Sequence, residues 1–187
     1  MPEEVPEMEQ DSPIKRLTSD KEKRIERNYA IIIQQLQHES IPYRVKAAEV
    51  LGKVGDPRAV EPLIRALEDP TTDVCWVAAQ SLGKLKDPRA VDPLIALLAG
   101  PDRWVRRGAA WGLGEIGDAR AVEALLPLLG DRKKDLRVTA AEALGKIGDP
   151  RAVESLKKVI DDDEPEVRTA VRAALRKITG SSDMTVV

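Results

Sequence analysis

Charged side chains that recur at one interval are the first candidates for chemistry in this chain. Aspartates and arginines take equivalent places along it, and a carboxylate held beside a cation could serve acid–base catalysis. Each aspartate, however, stands directly before a predicted helix, where aspartate is a preferred N-cap. We therefore interpret the set as a structural ladder of caps and charge-assisted bonds between repeated units. Its members are Asp56, Asp87, Asp118 and Asp149, with Arg44, Arg106, Arg137 and Arg168.

Cysteine and histidine each occur once, as Cys75 and His38. Cys75 takes the place that arginine holds in the other units, and no histidine lies near it in the sequence to activate it. A lone cysteine is more often a small buried hydrophobic residue than a nucleophile. The sequence contains no glycine-rich phosphate loop, metal-ligand cluster or nucleophile motif. It thus predicts no catalytic residue, no metal site and no cofactor, and hence a protein that is not an enzyme.

A repeated six-residue phrase organises the chain. Gly-Asp-Pro-Arg-Ala-Val begins at Gly55 and returns in closely similar form at Lys86, Gly117 and Gly148, so each step is 31 residues. A fixed period in this range indicates stacked units, which present a long surface suited to binding. We predict an all-α solenoid of five helix pairs within residues 19–180. The expected units are about 26–56, 57–87, 88–118, 119–149 and 150–180.

Each unit is expected to hold a helix A, which begins at the Asp-Pro pair, and a helix B with the phrase Ala-Ala-x-x-Leu-Gly. Glycine inside a helix costs about 1 kcal/mol relative to alanine, so its recurrence indicates a close contact there. In the last unit Arg172 and Arg176 interrupt the phrase, as suits a terminal face. A capping box at Ser19–Glu22 predicts a first helix from Ser19 to about Gln37. Residues 1–18 are predicted to be a disordered tail, and residues 181–187 a second tail.

These phrases resemble the HEAT-like repeats of the phycobilisome-lyase type, and the resemblance covers about 155 residues in register. It implies a right-handed α-solenoid with the A helices on the convex side and the B helices lining the concave side. The family includes bilin lyase subunits, di-iron deoxyhypusine hydroxylases and scaffolds. The fold alone therefore does not select a function.

The hydroxylase branch of that family requires several His-Glu pairs at repeating positions, and this chain has one, His38-Glu39. Non-haem iron ordinarily needs two histidines with a carboxylate, so the resemblance does not extend to an iron site. We interpret His38 as a solvated residue at the end of a helix. The equivalent pairs in the other units are Asp69-Pro70, Gly100-Pro101, Asp131-Arg132 and Asp162-Asp163.

All three tryptophans lie at positions that have no preferred residue from unit to unit. Trp76 is equivalent to Arg107 of the next unit, and Trp111 is equivalent to Gln80. Positions four residues apart share one helix face, which here points away from the Ala-Ala-x-x-Leu-Gly stripe. Because neighbouring helices lie about 8–10 Å apart, we expect the three indoles to cluster in one exposed patch. The candidate partner-binding residues are Trp76, Gln80, Arg103, Trp104, Arg107, Trp111 and Glu142.

Tryptophan and arginine are enriched at binding hot spots, so we predict a scaffold that binds a protein or peptide on the concave surface of the second and third units. Three alternatives stay open: a bilin-lyase-like subunit that binds or chaperones a tetrapyrrole, a nucleic-acid binder that stacks bases on tryptophan, and self-association through the patch. A bilin would shift visible absorbance, and nucleic-acid binding would fall steeply with salt.

Composition narrows these possibilities. The formal net charge is −2, whereas nucleic-acid binders are usually basic, so nucleic acid is a poor candidate partner. No apolar stretch approaches the ~20 residues that a bilayer span needs, and the acidic N-terminus has no apolar signal core. One cysteine excludes an internal disulfide and fits a reducing compartment. We therefore expect a cytoplasmic protein with no membrane partner.

Overall fold

The structure, a computed structural model, describes residues 13–180, with side chains from residue 19 onward. Ten α-helices and no strand occur in this range, which confirms the all-α solenoid. The A helices are α1 (Pro13–Gln35), α3 (Val60–Ala66), α5 (Val91–Leu97), α7 (Val122–Leu125) and α9 (Val153–Lys158). The B helices are α2 (Ile41–Val54), α4 (Thr72–Leu85), α6 (Arg103–Ile116), α8 (Lys134–Ile147) and α10 (Pro165–Thr179).

The B helices form the inner row of the solenoid. Each packs directly against the next, whereas α3 and α5 touch the following unit mainly through its first turn. The outward-facing columns of the B helices therefore form one continuous surface across the units.

A single helical turn opens each A helix after the first. The Asp56 side chain accepts a hydrogen bond from the Arg58 backbone N–H at 2.9 Å, and the Ala59 N–H donates to the Asp56 carbonyl three residues back at 2.9 Å. That second bond makes the turn 3₁₀ rather than α-helical. The predicted caps are therefore confirmed, with a tighter first turn than expected. Equivalent side-chain caps occur at Asp87, Asp118 and Asp149.

Helix α1 begins at Pro13 and not at Ser19. The predicted capping box is wrong, because the helix runs through Ser19–Glu22 without interruption. Proline suits the first helical position, since no N–H is needed there and its φ is already close to the helical value. Residues 13–18, which the sequence assigned to a disordered tail, are thus helical. The remainder of that tail, residues 1–12, and the second tail at 181–187 lie outside the described residues.

The Ala-Ala-x-x-Leu-Gly stripe forms the contact between successive B helices, as its spacing predicts. A Cβ atom built on Gly114 would lie 2.7 Å from the Cα atom of Ala143 in the next B helix. Gly145 bears the same relation to Ala174, also at 2.7 Å. Ala143 and Ala174 each stand directly before the leucine of the phrase in their own helix. This position is small because the glycine of the preceding B helix packs against it. These contacts leave no room for a side chain.

A second set of contacts joins the turns that precede the B helices. Arg137 donates to both carboxylate oxygens of Asp162 in the next unit at 2.8 Å and to the Asp131 carbonyl of its own turn at 2.9 Å. Arg44 pairs with Asp69 in the same way, at 2.7 and 3.1 Å. The N-cap aspartates belong to a separate set, since each bonds the arginine two residues later in its own turn. The predicted ladder is thus two ladders.

One rung is missing from the arginine–aspartate ladder, between the second and third units. Cys75 stands in the place of the arginine, and Gly100 stands in the place of its aspartate partner. Arg137 also bonds the carbonyl six residues before it, and Cys75 makes the equivalent contact, with its Sγ atom 3.0 Å from the Asp69 carbonyl. Since both charged partners are replaced together, neither is left buried and unpaired. The Thr72 hydroxyl joins the two turns instead, donating to Asp102 at 2.9 Å.

Adding one methyl group at Gly114 tests the backbone contact. Overpacking of this kind costs about 1–3 kcal/mol, so Gly114→Ala should lower the free energy of unfolding although alanine favours the helix. Gly130→Ala is the control, because a Cβ atom there would meet nothing within 4 Å. Urea denaturation measures both variants. Equal stabilities of Gly114→Ala and wild type would contradict the close contact.

The ladder also predicts a dependence of stability on pH. Hydrogen bonds from Arg137 hold the pKa of Asp162 below its usual range. A carboxylate whose pKa is lower in the folded state contributes stability above its unfolded pKa, about 3.9, and loses it as the pH falls through the folded value. We expect Asp162→Asn to be less stable than wild type near neutral pH.

Below about pH 4 that difference should shrink, because the wild-type carboxylate becomes protonated. Asp163→Asn is the control, since Asp163 is exposed and its carboxylate makes no ion pair with any residue in the described range. Urea denaturation across the acid range measures the effect. A wild type and an Asp162→Asn variant that stay equally far apart at all pH values would refute this account.

Candidate functional site

Two of the tryptophans form an edge-to-face pair at the step from α4 to α6. The ring centroids of Trp76 and Trp104 lie 6.3 Å apart, with an angle of 84° between the planes. The Arg107 guanidinium lies 5.6 Å from the Trp76 centroid and 5.7 Å from that of Trp104, and the Arg103 guanidinium lies 4.3 Å from that of Trp104. Cations at these distances are attracted to an aromatic face. The fold thus brings four of the predicted residues together.

Trp111 lies apart from this pair. It is seven positions after Trp104 on α6, which separates the two along the helix by about 10 Å. No ring contact joins it to the other indoles in residues 19–180, and its ring instead has the Lys146 ammonium 5.5 Å from its centroid. The expectation of one cluster of three therefore gives way to a pair with a third indole further along the face.

The indoles of Trp76 and Trp111 are half-buried, and each packs against a glycine of the neighbouring B helix. A Cβ atom on Gly108 of α6 would lie 3.1 Å from Cε3 of Trp76, and one on Gly83 of α4 would lie 3.0 Å from Cζ3 of Trp111. Each ring therefore packs against the backbone of the adjacent helix, which fixes it in place. Sequence reasoning missed Gly108, although glycine occurs only once at that repeat position and so gave a signal.

Trp104 is the most exposed of the three, with 42% of its surface accessible. It is the second residue of α6, whose N-cap Asp102 accepts hydrogen bonds from the backbone N–H groups of Trp104 and Val105 at 2.7 and 3.1 Å. Thr72 of the preceding unit bonds the same carboxylate. The backbone that carries the exposed indole is thus held by two units.

Gln80 and Glu142 extend the surface in different directions. Gln80 is half-buried, one turn beyond Trp76 on α4. Glu142 is exposed on α8 and lines a cavity of about 590 Å³ between α8 and α10, away from the tryptophan pair. Lys146, which lies near Trp111, lines the same cavity, so the surface of the B helices continues from the third unit to the fifth. Other lining residues are Val138, Thr169, Ala173 and Lys177.

A family model described as HEAT repeats matches residues 29–110 and 91–176. Together these segments span most of the chain. The chain belongs to the HEAT-repeat family.

Solved structures agree with this assignment. The HEAT-repeat chain is similar to a chain in the structure of the complex of CpcE and CpcF of phycocyanin lyase from Nostoc sp. PCC7120. The two are 28% identical, with a TM-score of 0.75, and the match covers 97% of this chain and 71% of the Nostoc chain. An engineered protein matches with 23% identity, a TM-score of 0.66, and coverage of 81% and 79%. A designed armadillo repeat protein matches with 19% identity, a TM-score of 0.62, and coverage of 84% of each chain. The last two likenesses show the fold alone.

None of the curated proteins matches this chain significantly in sequence. Across residues 13–180, every helix is too short or too polar to serve as a bilayer span.

The remaining reactive side chains of this HEAT-repeat protein hold its turns. Burial, reinforced by the charge of Asp69, raises the pKa of the Cys75 thiol, which disfavours the nucleophilic thiolate. His38 accepts the Ser40 N–H at Nδ1 at 3.0 Å and stacks on Tyr43 with centroids 4.4 Å apart. His38 is thus half-buried and makes specific contacts, so the expectation of a simply solvated residue is wrong. In the described part of the chain no three His, Cys, Asp or Glu side chains are grouped to hold a metal ion.

Proposed function

We propose that this HEAT-repeat protein is a non-catalytic scaffold that binds a protein or peptide on the concave surface of its B helices and acts in the cytoplasm. The proposed centre is the pair Trp76 and Trp104 with Arg103 and Arg107. The observation that carries the proposal is the exposure of Trp104 beside a half-buried indole and two arginines. Large aromatic anchors flanked by arginine are characteristic of binding hot spots.

Pre-organisation supports the same conclusion. Trp76 is seated on Gly108, and the backbone of Trp104 is fixed by the Asp102 cap. Binding a partner would therefore order few side chains, so little of the interaction energy is lost as conformational entropy. A tryptophan can bury about 150–250 Å², and two of them supply a large part of the ~800 Å² that each partner contributes to a standard interface.

The similar solved structure adds a second line of support. At 28% identity, the phycocyanin lyase chain is found in a complex of two proteins, CpcE and CpcF. A chain with the same fold over nearly its whole length is well suited to binding another protein. The comparison does not identify that protein, so the proposed surface rests on the residues of this chain.

A tetrapyrrole-binding role is the second candidate, and the cavity between α8 and α10 favours it. Its volume of about 590 Å³ falls within the range of small-molecule sites. Lys177 and Lys146, the second of which also pairs with Glu115, line it and could bind the carboxylates of an open-chain tetrapyrrole. The similar chain belongs to a phycocyanin lyase. A shift in visible absorbance on mixing with a bilin, lost in Lys146→Ala/Lys177→Ala, would select this function instead.

The scaffold proposal predicts that a partner depends on the tryptophan pair. Wild type and Trp76→Ala/Trp104→Ala are used as baits in lysate from the source organism, with Tyr43→Ala as the control. Tyr43 is an exposed aromatic residue on α2, outside the proposed centre. A protein captured by wild type and Tyr43→Ala but lost from the double variant is the expected partner. Its affinity, measured by calorimetry, should fall by at least about thirtyfold for the double variant.

If all three baits capture the same proteins, the tryptophan pair is not part of the binding site. Sedimentation of the bait alone separates a further outcome. If wild type forms a dimer that Trp76→Ala/Trp104→Ala does not, the patch joins two copies of this chain rather than a different protein.

A further inference from the structure

A positively charged cleft opens beside Trp104. The turn before α8 and the turn before α10 enclose it together with the start of α6, and its volume is about 560 Å³. Six cations and three carboxylates line it. The cations are Arg103, Arg107, Arg132, Lys133, Lys134 and Arg137, and the carboxylates are Asp135, Asp163 and Glu164.

Half of these cations are already neutralised within the protein. Arg137 is bonded to Asp162 at 2.8 Å, and Lys134 lies 3.2 Å from Glu164 and 3.0 Å from Glu166. Arg107 has a more distant carboxylate, that of Asp135 at 3.9 Å.

The other three cations have no such partner. Arg103, Arg132 and Lys133 make no ion pair within 4 Å with any residue between 19 and 180. The Arg103 guanidinium lies over the face of Trp104 and makes no side-chain hydrogen bond within residues 19–180, which leaves its hydrogen-bonding groups available. This unbalanced charge stands out in a chain whose formal net charge is −2.

We propose that the partner docks through an acidic, extended segment that lies across this cleft, next to an apolar side chain seated on Trp104. The inference rests on the proposed function and specifies the chemistry of the partner. One carboxylate binds Arg103 on α6, and the next binds Arg132 and Lys133 before α8. Neighbouring B helices are about 8–10 Å apart and an extended chain advances about 3.3 Å per residue, so the two carboxylates are about three residues apart.

The carboxylates of the cleft favour a polypeptide over a nucleic acid. Asp135, Asp163 and Glu164 line the cleft together with the free cations, so its lining is not positive throughout. A single-stranded nucleic acid presents a phosphate at every nucleotide and is bound by a groove that is positive throughout. A peptide can instead place its carboxylates at the cations and uncharged residues at the acidic positions. Nucleic acid is therefore an outcome for the test to exclude.

The test uses a short fluorescein-labelled peptide with glutamate at every third position among serine and glycine, and one leucine at its centre. The control peptide carries glutamine in place of glutamate. Fluorescence anisotropy with the full chain should show binding of the glutamate peptide, and weaker binding or none of the glutamine peptide. Raising the salt should weaken the interaction, because these cations are solvent-exposed.

Charge reversal locates the binding. Arg132→Glu/Lys133→Glu should weaken binding of the glutamate peptide by about tenfold or more. Lys157→Glu/Lys158→Glu is the matched control, because these exposed lysines of α9 change the net charge equally and lie outside the cleft. Equal losses in both variants would show a bulk charge effect and overturn the proposal. So would the absence of glutamate-peptide binding at low salt, or tighter binding of a single-stranded oligonucleotide that competes for the cleft.

The same variants separate this inference from the proposed function. If the captured partner requires Trp76 and Trp104 but tolerates Arg132→Glu/Lys133→Glu, the scaffold proposal stands and the acidic segment is refuted. If the glutamate peptide binds in the cleft while the captured partner is unaffected by Trp76→Ala/Trp104→Ala, the cleft is a real site and the tryptophan centre is refuted.

Discussion

The closeness of successive B helices is the constraint on which the rest of this structure depends. Glycines such as Gly114 and Gly145 lie against the backbone of the next helix, at a distance that excludes even a methyl group. Glycine weakens an isolated helix, and here that cost is offset by the burial of the surrounding alanines and leucines. Because each of the four steps between B helices repeats the contact, the helices line up with their variable positions on one face. The exposed face shared by the B helices is therefore a consequence of the close packing between them.

The contact between α4 and α6 differs from the other contacts between B helices. The arginine–aspartate rung is absent there, and three glycines, Gly83, Gly108 and Gly112, bring the helices together. Two of these glycines, Gly108 and Gly83, also leave space that the rings of Trp76 and Trp111 occupy. The indoles are thus both packing residues and surface residues. Their burial makes them rigid, and their remaining exposure makes them available for binding.

The sequence predicted the features that repeat and missed several that depend on single residues. The 31-residue period gave the stacked helix pairs, the Asp N-caps and the buried face of helix B, because each is present several times in register. Alignment of the units also showed which face the tryptophans share. It could not show that Trp111 is displaced along that face from Trp76 and Trp104, since ring separation depends on rotamers and on where glycine admits a ring. The start of α1 was missed because that helix has no repeated counterpart.

Gly108→Ala tests most directly whether the position of the indoles, rather than their presence, creates the binding surface. An added Cβ atom would lie 3.1 Å from Cε3 of Trp76, so the ring must shift by a few tenths of an ångström, while every surface side chain is retained. The decisive measurement is the dissociation constant of the captured partner for this variant and for wild type. The account predicts clearly weaker binding with the fold intact. An unchanged dissociation constant, with Trp76 shown to be displaced, would contradict it.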